Sequence, residues 1–360
     1  MRSWSSVSPS DQVRVGVIGA GQMGARHVVT YQRLDQAQLV AVADPSEAAR
    51  SSALAGAPVA EYADWRRMLD EQADELDAVS IACPSDRHAE VAEAALSAGL
   101  HVLIEKPIAT SLSDAIRLVE LAREVNRKLM VGHIERFNPA ISRLRVLVSE
   151  GRLGQIYRIH GTRVGPSPMR RLNAGVALDL ATHDLDAMSY VLQTPLHDII
   201  ADGGRFEHGE HEDLVQCLMQ FEDGTRGLLD VNWLTPEKQR ELVLIGENGM
   251  LTASFLTQDV WFVEANRASV AWKELAVIRG DAEGSAIRFA LRKVEPIRAE
   301  LAAFLNCIVE DLPEPVSGLD GARALAAALA ILDSVESGAR VTPADLSLLP
   351  HVHHELLEVA

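Results

Sequence analysis

Three stretches of this chain hold residue types that can do chemistry. In V-L-I-E-K-P (Val102 to Pro107) an apolar run ends in Glu105 and Lys106 and stops at Pro107. G-A-G-Q-M-G (Gly19, Ala20, Gly21, Gln22, Met23, Gly24) follows a second apolar run. D-L-A-T-H-D-L-D (Asp179 to Asp186) places Asp179 and His183 one turn apart in a helical pattern. A lysine at a strand end either snorkels into solvent or offers a cation to a substrate hydroxyl or a developing alkoxide. A histidine with a carboxylate one turn away has a fixed orientation and a supported charge, which suits a general base near neutral pH. The competing reading of that helix is a solvated face carrying Asp179, His183, Asp186 and Tyr190, with Ala181, Leu185, Met188 and Leu192 on an apolar face beside it.

The elements that must position these groups follow from the hydrophobic pattern. Short runs rich in Val, Ile and Leu occur at Val13–Ile18, Leu39–Ala43, Ala78–Ala82, His101–Ile104 and Lys128–Val131. Amphipathic segments such as Arg87–Ala98 and Asp114–Asn126 lie between them, the latter opened by the capping-box spacing Ser111-x-x-Asp114. Strands alternating with helices predict a parallel sheet with helices on both faces. After His133 the pattern changes. Asn138-Pro139 starts a helix with Ile141, Leu144 and Val148 on one face, ending at Gly151. Val215, Cys217, Met219 and Phe221 alternate, Asp223-Gly224 turns, and Gly227, Leu229, Val231 and Trp233 resume; Asn248-Gly249 marks a second hairpin. Two helices close the chain, one with Ile297, Leu301, Phe304 and Ile308, the other with Leu325, Leu329 and Leu332 after an Asp320 cap. The expected architecture is an α/β domain over residues 12–134, then an α+β domain over 135–360 built on an open, mainly antiparallel sheet.

The glycine loop follows a strand, opens a helix, and is trailed by Asp44 at the end of the second strand. That context matches the dinucleotide fingerprint: glycines for a tight turn, a helix N-terminus for the pyrophosphate, an acid for the ribose hydroxyls. Asp44 followed by Pro45 and Ser46, with no adjacent arginine, favours NAD over NADP. In an open parallel sheet, ligands bind beyond the carboxyl ends of the strands. The Gly loop, Asp44, Cys83-Pro84-Ser85, Glu105-Lys106-Pro107 and His133 end successive strands, so Lys106 stands on the ligand edge. Lys106-Pro107 is a candidate cis bond.

Taken together, G-x-G-x-x-G, E-K-P and D-x-x-x-H resemble the glucose-fructose oxidoreductase / inositol dehydrogenase / rhizopine catabolism protein family (Gfo/Idh/MocA) of NAD(P)-dependent dehydrogenases, over nearly the whole chain. The resemblance implies that Lys106 and His183, with Asp179 beside them, act on the substrate hydroxyl. It implies NAD contacts from Gly19, Gly21, Gln22, Met23, Gly24, Asp44, Cys83, Pro84, Ser85, His88 and Glu105. V-G-H-I-E-R-F-N-P (Val131–Pro139), R-V-G-P (Arg163–Pro166) and N-W-L-T-P (Asn232–Pro236) are similar to the UDP-N-acetylglucosamine 3-dehydrogenase branch. That narrower likeness places Arg136, Asn138, Arg163, Arg170 and Arg171 near the substrate, where guanidinium groups suit phosphate capture; the alternative is that they pair with acidic residues.

With 34 basic and 51 acidic residues the chain carries a net charge of −17, which repels nucleic acid and anionic membranes and requires a local cationic cluster for any anionic ligand. No run approaches the roughly 18 apolar residues of a membrane span. Three widely spaced cysteines suggest neither disulfides nor a zinc site, and a reducing cytoplasm is expected. The acidic and histidine-rich runs Glu207–Asp213 and His351–His354 read as surface, so no metal is expected. The expected reaction is NAD-dependent oxidation of a secondary hydroxyl of a sugar, C3 of a nucleotide-linked one. The rivals are a free or phosphorylated sugar or inositol as substrate, a redox-neutral NAD-dependent glycosidase, and a non-catalytic dinucleotide-binding regulator. A homodimer or homotetramer through the open sheet is expected, since such a face is usually covered.

Overall fold

The structure, a computed structural model, describes residues 12–167, 174–207, 209–265 and 284–346. Arg170, Arg171, His208 and the His351–His354 run lie outside the described residues.

Six parallel strands form the first sheet: β1 (Val13–Ile18), β2 (Ala37–Ala43), β3 (Ala60–Tyr62), β4 (Ala78–Ile81), β5 (His101–Glu105) and β6 (Leu129–Gly132). Their order is β3-β2-β1-β4-β5-β6. The crossovers contain α1 (Gln22–Tyr31), α2 (Glu47–Leu54), α3 (Trp65–Gln72), α4 (His88–Ser97) and α5 (Leu112–Glu124). Every residue of β4 and of β6 is buried, the consequence of helices on both faces and the reason these strands read as unbroken apolar runs. β3 escapes the sequence pattern because it is three residues, Ala-Glu-Tyr, on the sheet edge. The Ser111 cap forms as expected, its Oγ accepting from the Asp114 N–H and donating to the Asp114 carboxylate.

The chain divides into two compact units. One holds the residues as far as Ile134 together with Glu295–Leu325; the other holds Glu135–Val294 with Ala326–Ala344. The break near 134 coincides with the sequence boundary, but the C-terminal stretch does not stay with the second unit. Helix α8 (Pro296–Val309) packs against α1. The segment after it covers the open edge of β6: Val131 N–H donates to Val316 O at 3.0 Å and Leu129 N–H to Glu314 Oε1 at 3.1 Å. An exposed strand edge needs such cover, and the hydrophobic pattern of 296–309 does not say which edge it serves.

The second unit is an eight-stranded sheet. Its strands are β7 (Ile156–Pro166), β8 (Leu196–Gly204), β9 (Leu214–Phe221), β10 (Arg226–Asn232), β11 (Leu234–Gly246), β12 (Gly249–Ser254), β13 (Asp259–Glu264) and β14 (Ala286–Phe289). The order is β14-β13-β12-β11-β7-β10-β9-β8, antiparallel except between β7 and β10. Both hairpins read from the sequence are present. Helices α6 (Pro139–Ser149) and α7 (Thr182–Leu192) cover one face, with Ile141, Leu144, Leu185 and Met188 packed among Val231, Leu242 and Phe262. Helix α9 (Gly318–Ser337) completes the chain's regular structure among the described residues. On the opposite face Leu218, in the middle of β9, is exposed. Among the described residues no helix is long and apolar enough to cross a membrane.

Candidate active site

The carboxyl edge of the parallel sheet collects the first set of predicted groups. Gly19 leaves β1 with φ +95°, and a Cβ built on it would lie 2.6 Å from the Cys83 backbone nitrogen. A Cβ on Gly24 would lie 1.8 Å from Gly19 O, so this glycine lets helix and loop touch. Gly21 differs: a Cβ there meets nothing within 4 Å. Gly19 and Gly24 are thus required by the chain's own packing, whereas Gly21 borders open space at the start of α1. No side chain caps that helix, so the first-turn N–H groups around Gln22 and Met23 are left to an outside acceptor. A pyrophosphate is what such a cradle fits.

Asp44 stands beside it. Its Oδ2 accepts from the Ala20 N–H at 2.7 Å and its Oδ1 from the Ser46 N–H at 2.8 Å. The carboxylate is therefore fixed against the glycine loop and half-exposed. Cys83, Pro84 and Ser85 follow β4 at the same edge. Burial pushes the Cys83 thiol up to about 12, so it stays neutral and offers no nucleophile.

Glu105 and His88, expected to touch the cofactor, are buried, and each has a hydrogen-bond partner within the protein. Glu105 Oε1 lies 3.1 Å from His27 Nε2. His88 Nδ1 lies 2.7 Å from Pro107 O and its Nε2 lies 3.0 Å from Cys83 O. Burial works against the Glu105 charge, but the His27 hydrogen bond and the charges of His27 and Lys106 hold its carboxyl below the ordinary range. Lys106 itself is half-buried, and its bond to Pro107 is cis. Sequence reading missed His27 and Glu300. With Glu105 they form the one group of three metal-capable donors among the described residues, their donor atoms within 4.8 Å of one another. His27 three places after Gly24, on the inner face of a helix, was the available signal.

The second unit holds the D-x-x-x-H motif. Asp179 lies in a single wide turn of π-helix, Ala177–Ala181, which runs directly into α7. Such a bulge inserts an i→i+5 turn and shifts the helix phase, so the single face read at strict 3.6 spacing does not continue through it. Most of α7 is buried, and Asp179 and His183 are half-exposed. The solvated-face reading therefore fails for this helix. Asp184 and Asp186, both buried, are taken up by arginines.

Those arginines are held by the protein's own carboxylates. Arg163 is 1% exposed; its Nε donates to Asp184 Oδ2 and its Nη2 to Glu135 Oε1 at 3.0 Å. Burial opposes its charge, and Asp184 and Glu135 more than restore it. Arg136 donates from Nε and Nη2 to the Asp186 carboxylate at 2.9 and 2.6 Å and lies over the Tyr190 ring. Asn138 is 2% exposed, capping α6 through the Ala140 N–H and donating to Phe255 O at 3.0 Å. Arg163 and Asn138 are thus buried and hydrogen-bonded within the second unit. Arg240, on β11 opposite Arg163, went unnoticed in the sequence. Its Nε is buried without a hydrogen-bond partner among the described residues. Burial first, then the neighbouring Arg163 charge, lowers its pKa.

Residues 13–133 match the oxidoreductase family with an NAD-binding Rossmann fold, and residues 141–252 match the GFO/IDH/MocA C-terminal domain. The chain is 31% identical over 327 residues to the UDP-N-acetylglucosamine 3-dehydrogenase of Acidithiobacillus ferrooxidans, covering 90% of this chain and 98% of that one. It is 25% identical to the myo-inositol 2-dehydrogenase of Thermotoga maritima, covering 90% and 96%. The solved structure of the Acidithiobacillus enzyme superposes with a TM-score of 0.79 at 28% identity, over 91% of this chain and 98% of that one. The WlbA dehydrogenase of Bordetella pertussis, in complex with NADH and UDP-GlcNAcA, shares the fold with a TM-score of 0.80 at 22% identity, over 94% and 100%. The strand-end cradle for a dinucleotide, the E-K-P and D-x-x-x-H motifs and these matches establish that the chain belongs to the Gfo/Idh/MocA family of NAD-binding oxidoreductases.

Proposed function

We propose that this enzyme oxidises a secondary hydroxyl, at C3, of a nucleotide-linked sugar such as a UDP-N-acetylhexosamine. The observation that carries the redox reading is the array at the sheet edge: an open cradle at Gly21, a fixed carboxylate at Asp44 and an ammonium at Lys106. When bound, NAD supplies the hydride acceptor. Lys106 donates a hydrogen bond to the hydroxyl oxygen and stabilises the negative charge that develops there. His183 takes the hydroxyl proton, and Asp179, one turn away, orients its ring. A regulator that only binds a dinucleotide has no use for Lys106 or His183.

For the nucleotide part, the 31% identical relative gives the direction and Arg240 gives a chemical reason. A guanidinium whose buried Nε has no hydrogen-bond partner among the described residues favours an anionic ligand. A second reading, a free sugar or an inositol, is favoured by one finding: Asp184, Glu135 and Asp186 already use Arg163 and Arg136. The exposed Leu218 on the open sheet supports self-association through that face, and three free cysteines fit a reducing cytoplasm. Purified enzyme with NAD, presented with UDP-sugars, sugar phosphates and inositols while NADH absorbance is followed, separates the readings. Turnover of UDP-N-acetylglucosamine and not of inositols is expected; efficient inositol oxidation with every nucleotide sugar ignored defeats the substrate assignment.

A further inference from the structure

Lys106 is bracketed by two buried histidines. The residue before it, Glu105, holds its carboxylate 3.1 Å from His27 Nε2 on α1. The residue after it, Pro107, holds its carbonyl oxygen 2.7 Å from His88 Nδ1, on the first residue of α4. The other His88 nitrogen lies 3.0 Å from Cys83 O, on the loop that ends β4. Both rings are buried, at 0% and 1% exposure.

We propose that His27 and His88 are positioning residues that fix Lys106 by holding the residue on either side of it, an inference that rests on Lys106 meeting the substrate hydroxyl. The β5–β6 ladder ends with Glu105 opposite Gly132, so Lys106 is the first residue beyond it. Backbone groups past a ladder need partners from elsewhere, and the His88 ring gives Pro107 one. Burial holds His88 below its usual pKa, with Glu105 working in the opposite direction and Lys106 in the same one. The ring thus carries one proton near neutral pH and donates to one carbonyl at a time; the shorter contact is to Pro107. On the other side, a buried carboxylate is costly unless paired. Gly132 leaves it room, since a Cβ there would lie 3.2 Å from the Glu105 carboxyl carbon. His27 pairs it, and the Glu300 carboxylate from α8 completes the cluster. The two histidines come from the helix opened by the glycine loop and from the helix after the Cys83 loop, so the elements that cradle the dinucleotide also set the lysine.

The test needs no substrate in its first arm. Trace labelling with acetic anhydride compares Lys106 with the exposed Lys293 by peptide mass spectrometry in the unaltered protein, His27→Gln, His88→Gln and Glu105→Gln. The Lys106 to Lys293 ratio should change by about threefold or more in each variant, while the Lys128 ratio holds. Three variants at separate positions keep the test alive if one fails to fold, which thermal unfolding and NAD binding report. In the second arm, with UDP-N-acetylglucosamine and NAD, each histidine variant should lose about tenfold in kcat with KM little changed. Placed on Lys106→Ala, the same substitutions should cost nothing more. An unchanged Lys106 ratio in folded variants overturns the proposal, and so does a histidine effect that persists in full without Lys106. If Lys106→Ala keeps full turnover while the ratios shift, the positioning stands and the catalytic reading of Lys106 falls.

Discussion

The Asp44 carboxylate accepts a hydrogen bond from the backbone N–H of Ala20 at 2.7 Å, and that single contact locks the acid of β2 to the glycine loop of β1. On the proposed reading this carboxylate faces the ribose and would repel a 2′-phosphate there. NAD should therefore bind at least tenfold tighter than NADP, about 1.4 kcal/mol or more. Asp44→Ala should narrow that gap and also weaken NAD, because the loop loses its tether. Fluorescence titration of both cofactors decides it, and equal binding of NADP by the unaltered protein would place the acid away from the ribose.

The glycines of the loop should respond in opposite ways. Gly21→Ala adds a methyl group to open space, so stability should stay within about 0.5 kcal/mol while NAD affinity drops by about tenfold, near 1.4 kcal/mol. Gly24→Ala drives a methyl group into Gly19 O and should unfold or strongly destabilise the first unit. Thermal unfolding with and without NAD separates them. A Gly21→Ala protein that binds NAD normally would mean the open space is not the cofactor's.

Arg163 should matter for stability and not for substrate. Removing it strands the buried Asp184 and the neighbouring Glu135, a change that costs about 3–5 kcal/mol when one partner of a buried pair is lost. Urea unfolding of Arg163→Ala measures it. A folded variant of unaltered stability with a tenfold higher KM for UDP-N-acetylglucosamine would restore Arg163 to the substrate site.

Much of this fold was legible because both faces of the first sheet are buried. Val13–Ile18 and His101–Ile104 read as strands from apolar content alone, and Ser111, Asn138, Asp223-Gly224 and Asn248-Gly249 marked caps and turns by local chemistry. What stayed hidden depends on distant partners. Nothing near Arg163 in sequence says that Asp184 will take it rather than a phosphate. Glu105 sits on a strand whose end faces a ligand edge, and its turn toward His27 depends on a helix 78 residues earlier. The wide turn at Ala177–Ala181 has no periodic signature, so the sequence does not show where the regular helix α7 begins. The apolar pattern of helix α8 does not say that it packs against α1.

Stability should fall in mildly acidic solution, and His101 contributes to that fall. Its Nδ1 accepts from the Lys128 N–H at 3.0 Å. Burial first, then the charges of Arg127 and Lys128, lowers its pKa to about 4. The unfolded chain takes up the proton near pH ~6.5, so between those values the unfolded state binds more protons and the folded state is penalised. The His101 contribution is complete above pH ~6.5 and is lost as pH falls toward about 4. His101→Asn keeps an acceptor and cannot titrate, so its urea midpoint should fall less steeply across that window. Parallel slopes for both proteins would show that His101 is not depressed.

The central claim is that Lys106 and His183 act on a hydroxyl whose hydride passes to NAD. Steady-state NADH formation by Lys106→Ala and His183→Asn, alongside NAD titration of the same preparations, tests it most directly. Each substitution should lower turnover by roughly 10²-fold or more while NAD affinity stays within a few fold. Turnover near that of the unaltered enzyme in either variant, or loss of NAD binding together with activity in both, would contradict the account.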